Sequence, residues 1–100
     1  MSTNVTFVAL GTLDPNGQED FEAYASGAPA LLMAAGGQVR CRMKVVESLV
    51  GDNAPQSVFM IDFDSAETVK KVFDSPEYKA LIPHRDKAFS KVDFFLAEDT

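Results

Sequence analysis

Residue types that often carry chemistry are scarce in this chain, which has one cysteine, one histidine and no tryptophan. The lone Cys41 cannot form an intramolecular disulfide, and no Cys-x-x-Cys pair is present. One histidine and one cysteine also fall short of the three or four clustered ligands that zinc usually takes. We therefore expect no metal and no cofactor. A single thiol is typical of a reducing compartment, which predicts a cytoplasmic protein.

Positive charge is scarce as well, because 9 Lys and Arg residues stand against 15 Asp and Glu residues and give a net charge of −6. An acidic surface repels phosphate backbones, so we expect no nucleic-acid partner. No hydrophobic run approaches the roughly 20 residues that a membrane-spanning helix needs. The N-terminal segment also lacks the positive region of a signal peptide. We therefore expect no membrane partner.

The 100 residues are enough for one domain, residues 1–100, with a two-layer core. Alternating or β-branched segments predict four strands, at residues 5–13, 39–50, 57–63 and 92–97. Helical periodicity and capping residues predict a helix over residues 21–35, a second beginning after Asp64, and a third from Ser75 to about Phe89. The adjacent Gly36 and Gly37 are expected to end the first helix in the left-handed conformation.

The resulting order, β-α-β-β-α-α-β, is the split βαβ pattern of a ferredoxin-like α+β fold. It predicts a four-stranded antiparallel sheet that has helices on one face and residues 39–50 at an edge. The first, third and fourth strands carry apolar residues on both faces, whereas a sheet with one wet face should alternate. The uncovered face therefore predicts a homodimer that forms through the sheet faces of two copies.

The segments FMIDFDSAE and FDSPEYKALIPHRDKAF, with the glycines at 36, 37 and 51, resemble the family called domain of unknown function 1330. The most specific part is Ser-Pro-Glu-Tyr at residues 75–78, followed by Leu81 and Arg85. That family is placed in the dimeric α/β-barrel superfamily with the antibiotic-biosynthesis monooxygenases. The resemblance implies that two ferredoxin-like subunits join their sheets into a barrel. It implies no agreed activity and no catalytic residues.

Arg85 is the first candidate for a ligand-binding residue, because it continues the apolar stripe of Tyr78 and Leu81. A planar guanidinium fits a carboxylate, which favours an anion clamp between helix and sheet. The alternative is structural, with the head satisfying a buried carboxylate or carbonyl. We expect Pro83 to break the helix just before this arginine.

Arg40 and Arg42 are the other ligand-binding candidates, since they and Lys44 should form a basic row on one face of the edge strand. This row could line a cleft, and the alternative is that it protects the edge from aggregation. The weaker catalytic candidates are His84, Tyr78 and Tyr24. A solvated histidine and two core tyrosines are the structural alternatives.

The sequence is compatible with two functions. The chain could be a small-molecule-binding homodimer with a cleft between sheet and helices. The alternative is a cofactor-independent monooxygenase or isomerase that acts on a small anionic or aromatic substrate, as the superfamily resemblance implies. A cleft that holds His84, or a tyrosine beside Arg85, would favour the enzyme.

Overall fold

The computed structural model describes residues 4–100. Its elements, in chain order, are β1 (Val5–Leu13), α1 (Gln18–Ala34), β2 (Gln38–Lys44), β3 (Ser57–Phe63), α2 (Ala66–Asp74), α3 (Pro76–Lys79), α4 (Ile82–Ala88) and β4 (Phe89–Ala97). Over these residues, no helix combines the length and the apolar character needed to cross a membrane.

The four strands form one antiparallel sheet in the order β2-β3-β1-β4. The ferredoxin-like α+β fold predicted from the sequence is therefore confirmed, and β2 lies at an edge as expected. Helices cover one face of this sheet. The core on that face joins β1 and β3 to α1 and α2, through Val5, Phe7, Leu32, Ile61, Phe63, Val69 and Val72.

The other face of the sheet, called the outer face below, carries the alternate residues of each strand. On it Val8 lies opposite Met60 of β3 and Phe95 of β4, and Leu10 lies opposite Val58. These side chains are only partly buried, and Phe95 is 52% exposed. The expectation of apolar residues on both faces is thus correct for the described chain.

Two predicted strand boundaries are wrong by more than one residue. β2 ends at Lys44 instead of Val50, because Lys44 lies opposite Ser57, the first residue of β3, and the ladder has no partner strand beyond it. β4 begins at Phe89 instead of Val92, because its first residues still pair with the end of β1. In both cases the neighbouring strand, and not the local composition, sets the boundary.

A β-bulge in β2 overturns the expected basic row. Val39 lies opposite Ile61, yet Cys41 lies opposite Met60, so Arg40 is one extra residue in this strand. An inserted residue reverses the faces to which the following side chains point. Val39 therefore faces the helices, whereas Cys41 lies on the outer face.

The helix ends follow local capping rules. Gly36 has φ +98°, and its N–H donates to the Met33 carbonyl at 3.0 Å, while the Gly37 N–H donates to the Leu32 carbonyl at 3.0 Å. This pair of bonds is the Schellman arrangement, which confirms the predicted left-handed end of α1. At the start of α2 the N-cap is Ser65, which accepts a bond from the Thr68 N–H at 3.3 Å, so the predicted N-cap at Asp64 is one residue early.

The segment after α2 begins as predicted but does not break at Pro83. Ser75 caps α3 by accepting a bond from the Tyr78 N–H at 3.2 Å. The helix is interrupted earlier, after Lys79, and Pro83 lies in the first turn of α4. A proline is tolerated there because the first N–H groups of a helix have no intrahelical acceptor.

Candidate functional site

A cavity of about 350 Å³ lies between α1 and the helix-covered face of the sheet. Small residues on both walls leave this space, with Ala25 and Ala28 on the helix and Ala9 and Gly11 on β1. Larger side chains surround it and make the lining mostly apolar; they include Phe7, Phe21, Leu32, Phe59, Phe89 and Phe94. The cavity is in the range of small-molecule sites, which are mostly apolar with few polar groups.

Arg42 is the only charged residue among those that line the cavity, as far as the structure describes the chain. The bulge places it opposite Phe59 on the helix side, with its guanidinium carbon 4.7 Å from the centre of the Phe59 ring. Arg42 has no carboxylate partner within residues 4–100. A stacked and unpaired guanidinium at the border of an apolar cavity is suited to holding an anionic group.

Arg40 lies away from the cavity. Its Nε approaches Asp62 Oδ1 at 2.9 Å, and its Nη1 approaches Asp99 Oδ1 at 3.2 Å. Hydrogen bonds from Thr6 and from Arg40 hold the pKa of Asp62 below its ordinary value. Because Asp62 and Thr6 lie opposite each other on the outer face, the structure pairs Arg40 with carboxylates there and separates it from Arg42.

Tyr24, Tyr78 and Arg85 form a hydrogen-bonded chain beside the cavity. The two tyrosine hydroxyl oxygens are 2.8 Å apart, and Arg85 Nη1 donates to the Tyr78 hydroxyl at 3.1 Å. The Arg85 guanidinium carbon also lies 5.9 Å from the ring centres of Tyr78 and Phe94. The structure therefore brings together three sequence candidates, of which Tyr24 lines the cavity.

The partner of Arg85 differs from both structural alternatives, because it is a buried phenol and not a buried carboxylate or a carbonyl. Its second contact, with Asp86 Oδ1 at 3.4 Å, is to a side chain that is 65% exposed. Partial burial lowers the pKa of Arg85, but the interactions with Tyr78, Asp86 and Tyr24 together outweigh this effect and raise the pKa above its ordinary value. The guanidinium thus stays charged beside the hydroxyl pair.

Burial is also the main influence on Tyr24. Its side chain lies in a cluster with Ala28 and Tyr78, and its ring meets Phe89 edge-on at a centroid distance of 6.0 Å. Burial, and then the hydrogen bond with Tyr78, raise the pKa of Tyr24 far above its ordinary value. The phenol therefore remains protonated, and the chemistry open to it near neutral pH is hydrogen bonding.

His84 lies outside this group. Its Nδ1 is 2.9 Å from Asp20 Oδ1, its side chain is 44% exposed, and it is not among the residues that line the cavity. The contact joins α4 to the start of α1. Over residues 4–100, no three His, Cys, Asp or Glu side chains are grouped as metal ligands would be.

Most of the residues that line the cavity were not predicted as site residues from the sequence. The aromatic residues Phe21, Phe59, Phe89 and Phe94 were interpreted only as core or strand residues, yet they line its walls. The sequence does contain a pattern of small residues that predicts the empty space between α1 and β1. Ala9 and Gly11 occupy two successive inward positions of β1, and small residues recur on the inner side of α1, so a gap between these elements could have been predicted.

Comparison with known families gives a clear assignment. The model of the family described as "Domain of unknown function (DUF1330)" matches residues 8–100. The chain belongs to this family. The resemblance found in the sequence is therefore confirmed. No curated protein matches this DUF1330 chain.

Solved structures share the fold of this DUF1330 chain at low sequence identity. A protein of unknown function from Rhodopseudomonas palustris is 19% identical, with a TM-score of 0.85 over 100% of this chain and 85% of that one. A protein from Pseudomonas aeruginosa is 14% identical, with a TM-score of 0.71 over 100% and 97% of the two chains. A protein from Bacteroides fragilis, described as dimeric, of unknown function and ferredoxin-like, is 14% identical, with a TM-score of 0.63 over 96% of each chain. At these identities the likeness shows the fold alone.

Proposed function

We propose that this DUF1330 chain acts as a single-domain cytoplasmic homodimer that binds a small apolar carboxylate between α1 and the sheet. The observation that carries the proposal is the cavity of about 350 Å³, whose apolar walls are bordered by one unpaired guanidinium. Such a site can bury a compact hydrocarbon or aromatic body and hold one anionic group at its border.

The charge pattern supports an anionic ligand. The chain has a net charge of −6, yet the one charged side chain that lines the cavity, over residues 4–100, is the cation Arg42. Arg40, two positions before Arg42 along β2, is instead neutralised by Asp62 and Asp99. Stacking on Phe59 holds the Arg42 guanidinium without consuming its hydrogen-bond donors, which leaves them for a carboxylate.

The outer face supports the homodimer. Its central residues Val8, Met60 and Phe95 are apolar and partly exposed in a single chain. The segment that follows β2 also exposes apolar side chains, because Val46, Leu49 and Val50 are 90%, 89% and 94% exposed. A second copy would cover both, and the Bacteroides fragilis relative of this fold is described as dimeric. The expected interface buries more than ~1,500 Å² in total.

Binding of 4-isopropylbenzoate tests the ligand proposal, with 4-isopropylbenzamide as the uncharged probe of nearly the same shape. Isothermal titration should show that wild-type protein binds the carboxylate about tenfold more tightly than the amide, the preference expected of one charge-assisted hydrogen-bonded contact. Arg42→Gln should remove most of this preference. Arg40→Gln is the matched control, since it removes the same group from the same strand on the opposite face, and it should leave the preference unchanged.

Two results would contradict the proposal. The first is that neither probe binds at millimolar concentration while amide proton chemical shifts of the cavity residues stay unchanged. The second is that Arg40→Gln and Arg42→Gln reduce carboxylate binding equally, which would assign the effect to overall charge and not to the cavity.

The enzyme alternative, a cofactor-independent monooxygenase or isomerase, is favoured by one observation. A tyrosine that lines the cavity is connected to Arg85 through a second tyrosine, as an enzyme of this kind would need. His84 does not support it, since it pairs with Asp20 outside the cavity. Incubation with phenolic and keto-acid substrates in air, followed by liquid chromatography and mass spectrometry, distinguishes the two functions. A product with added oxygen, or an isomer with a new retention time, that Tyr24→Phe abolishes would establish the enzyme.

A further inference from the structure

The tyrosine pair contains one more hydroxyl hydrogen than the described residues accept. Tyr24 and Tyr78 each have one O–H, but they share a single mutual hydrogen bond of 2.8 Å. Only one of the two hydrogens can lie in that bond. Over residues 4–100, neither hydroxyl is hydrogen-bonded to any further acceptor. A buried donor without an acceptor is destabilising, so the direction of the bond matters.

Arg85 fixes that direction. Its Nη1 is a donor only, so at 3.1 Å the Tyr78 oxygen must accept. The Tyr78 side chain is just 1% exposed and does not line the cavity, so among residues 4–100 the acceptor for its hydrogen is the Tyr24 oxygen. The chain therefore runs from Arg85 to Tyr78 to Tyr24. The hydrogen that remains without an acceptor belongs to Tyr24.

Tyr24 lines the cavity, although its side chain is nine-tenths buried with 9% exposed. We infer that the Tyr24 hydroxyl donates a hydrogen bond to an uncharged oxygen of the bound ligand, and that it selects ligands which carry such an oxygen. This inference rests on the proposed function, since it assigns a second recognition group to the same cavity. The donors of Arg85 and Tyr78 polarise the Tyr24 hydroxyl and make it a stronger donor.

The two recognition groups lie toward opposite edges of the sheet. Arg42 belongs to the edge strand β2, whereas Tyr24 meets Phe89, the first residue of the other edge strand, β4. Three strand spacings separate these edges, about 14 Å, and Arg42 leans inward over Phe59. The ligand class is therefore a compact apolar carboxylate with a carbonyl oxygen at its far end, such as an aryl acid that carries a ketone.

Two probes of nearly the same shape isolate the contribution of this donor: 4-acetylbenzoate has the ketone oxygen, and 4-isopropylbenzoate has a methyl group in its place. The measured quantity is the ratio of their dissociation constants, obtained by isothermal titration. Tyr24→Phe should weaken the binding of 4-acetylbenzoate relative to that of 4-isopropylbenzoate by about threefold to tenfold, which is the effect of losing one hydrogen bond. A merely structural role for Tyr24 would weaken both probes alike and leave the ratio unchanged.

An infrared measurement on wild-type protein provides a second readout that needs no variant. With ¹³C in the ketone of 4-acetylbenzoate, the carbonyl stretch should move to lower wavenumber on binding. An unshifted stretch, or a ratio that Tyr24→Phe leaves unchanged while both probes still bind, overturns this inference and leaves the proposed function standing. If neither probe binds wild-type protein, the proposed binding site is wrong and the inference fails with it.

Discussion

Arg40 and Arg42 lie on opposite sides of the sheet, although a single residue separates them in β2. Arg40 reaches Asp62 on the outer face, whereas Arg42 stacks on Phe59 beside the cavity. In a regular strand, residues two apart share a face. The inserted residue at the bulge breaks this rule, and it gives two identical side chains different partners and different expected roles.

The first prediction concerns the outer-face ion pair and its dependence on pH. Asp62 has a pKa lowered below 3.8 by the hydrogen bonds from Thr6 and Arg40. A carboxyl group with a depressed pKa in the folded state stabilises the protein above its unfolded-state pKa, and this contribution is lost as the pH falls through the folded-state pKa. Asp62→Asn should therefore lower the melting temperature at pH 7, and the difference from wild type should shrink below about pH 4.

Melting curves of both proteins between pH 7 and pH 3 measure this effect. Asp52→Asn is the control for the loss of one negative charge, because Asp52 lies exposed in the segment between β2 and β3. A difference in melting temperature between wild type and Asp62→Asn that stays constant down to pH 3 would show that the carboxylate charge does not contribute to stability.

The second prediction concerns Tyr24 at alkaline pH. Burial and the hydrogen bond with Tyr78 raise its pKa above the ordinary value of 10.0. A group whose folded-state pKa is raised stabilises the fold below the unfolded-state pKa and loses this contribution as the pH rises above it. The free energy of unfolding should therefore fall above pH ~10, by up to about 1.4 kcal/mol per pH unit for this one proton.

Urea unfolding between pH 9 and pH 11.5 measures how steeply the free energy of unfolding falls with pH. Tyr24→Phe should make this fall shallower. Absorbance at 295 nm follows ionisation directly. If Tyr24 ionises near pH 10 while the far-ultraviolet circular dichroism stays native, the buried hydroxyl pair is not formed.

The third prediction distinguishes the roles of Arg85. Its buried partner is the Tyr78 hydroxyl, so replacing it strands no buried carboxylate. Arg85→Met should cost about 1 kcal/mol of stability, as expected for one hydrogen bond, instead of the ~3–5 kcal/mol that follows from breaking a buried ion pair. Chemical denaturation measures the difference, with Arg85→Lys as the conservative comparison. A loss of more than about 3 kcal/mol would mean that the arginine neutralises a buried acid.

The fourth prediction concerns the homodimer. Met60 is near the centre of the outer face on β3, so Met60→Asp would place a charge in the interface, and burying an unpaired charge is strongly unfavourable. The variant should sediment as a monomer at micromolar concentration. Phe95→Asp should do the same with less effect on the fold of each chain, since Phe95 is 52% exposed in a single chain.

Ala30→Asp is the control for these two variants, because Ala30 is exposed on α1, away from the outer face. It should leave the oligomeric state unchanged. A stable, folded wild-type monomer at micromolar concentration in sedimentation equilibrium would contradict the dimer.

The sequence by itself determined the features that depend on neighbouring residues along the chain. β1 and β3 were predicted with their observed bounds, because β-branched and aromatic residues favour extended backbone over such short segments. Gly36 was predicted to end α1, because a glycine adopts positive φ without steric cost. Ser75 was predicted to cap the next helix for an equally local reason, the bond that its hydroxyl oxygen accepts from a nearby N–H.

The tertiary structure decided whatever depends on pairing between distant segments. The alternation of residues 39–45 looks regular, and only the register against β3 reveals the bulge that separates Arg40 from Arg42. The contact between Tyr24 and Tyr78 joins residues 54 positions apart, and no local pattern encodes it. The cavity likewise exists only because small residues of α1 and β1 face each other across the core. Such contacts depend on the packing of whole elements, which a single local pattern does not specify.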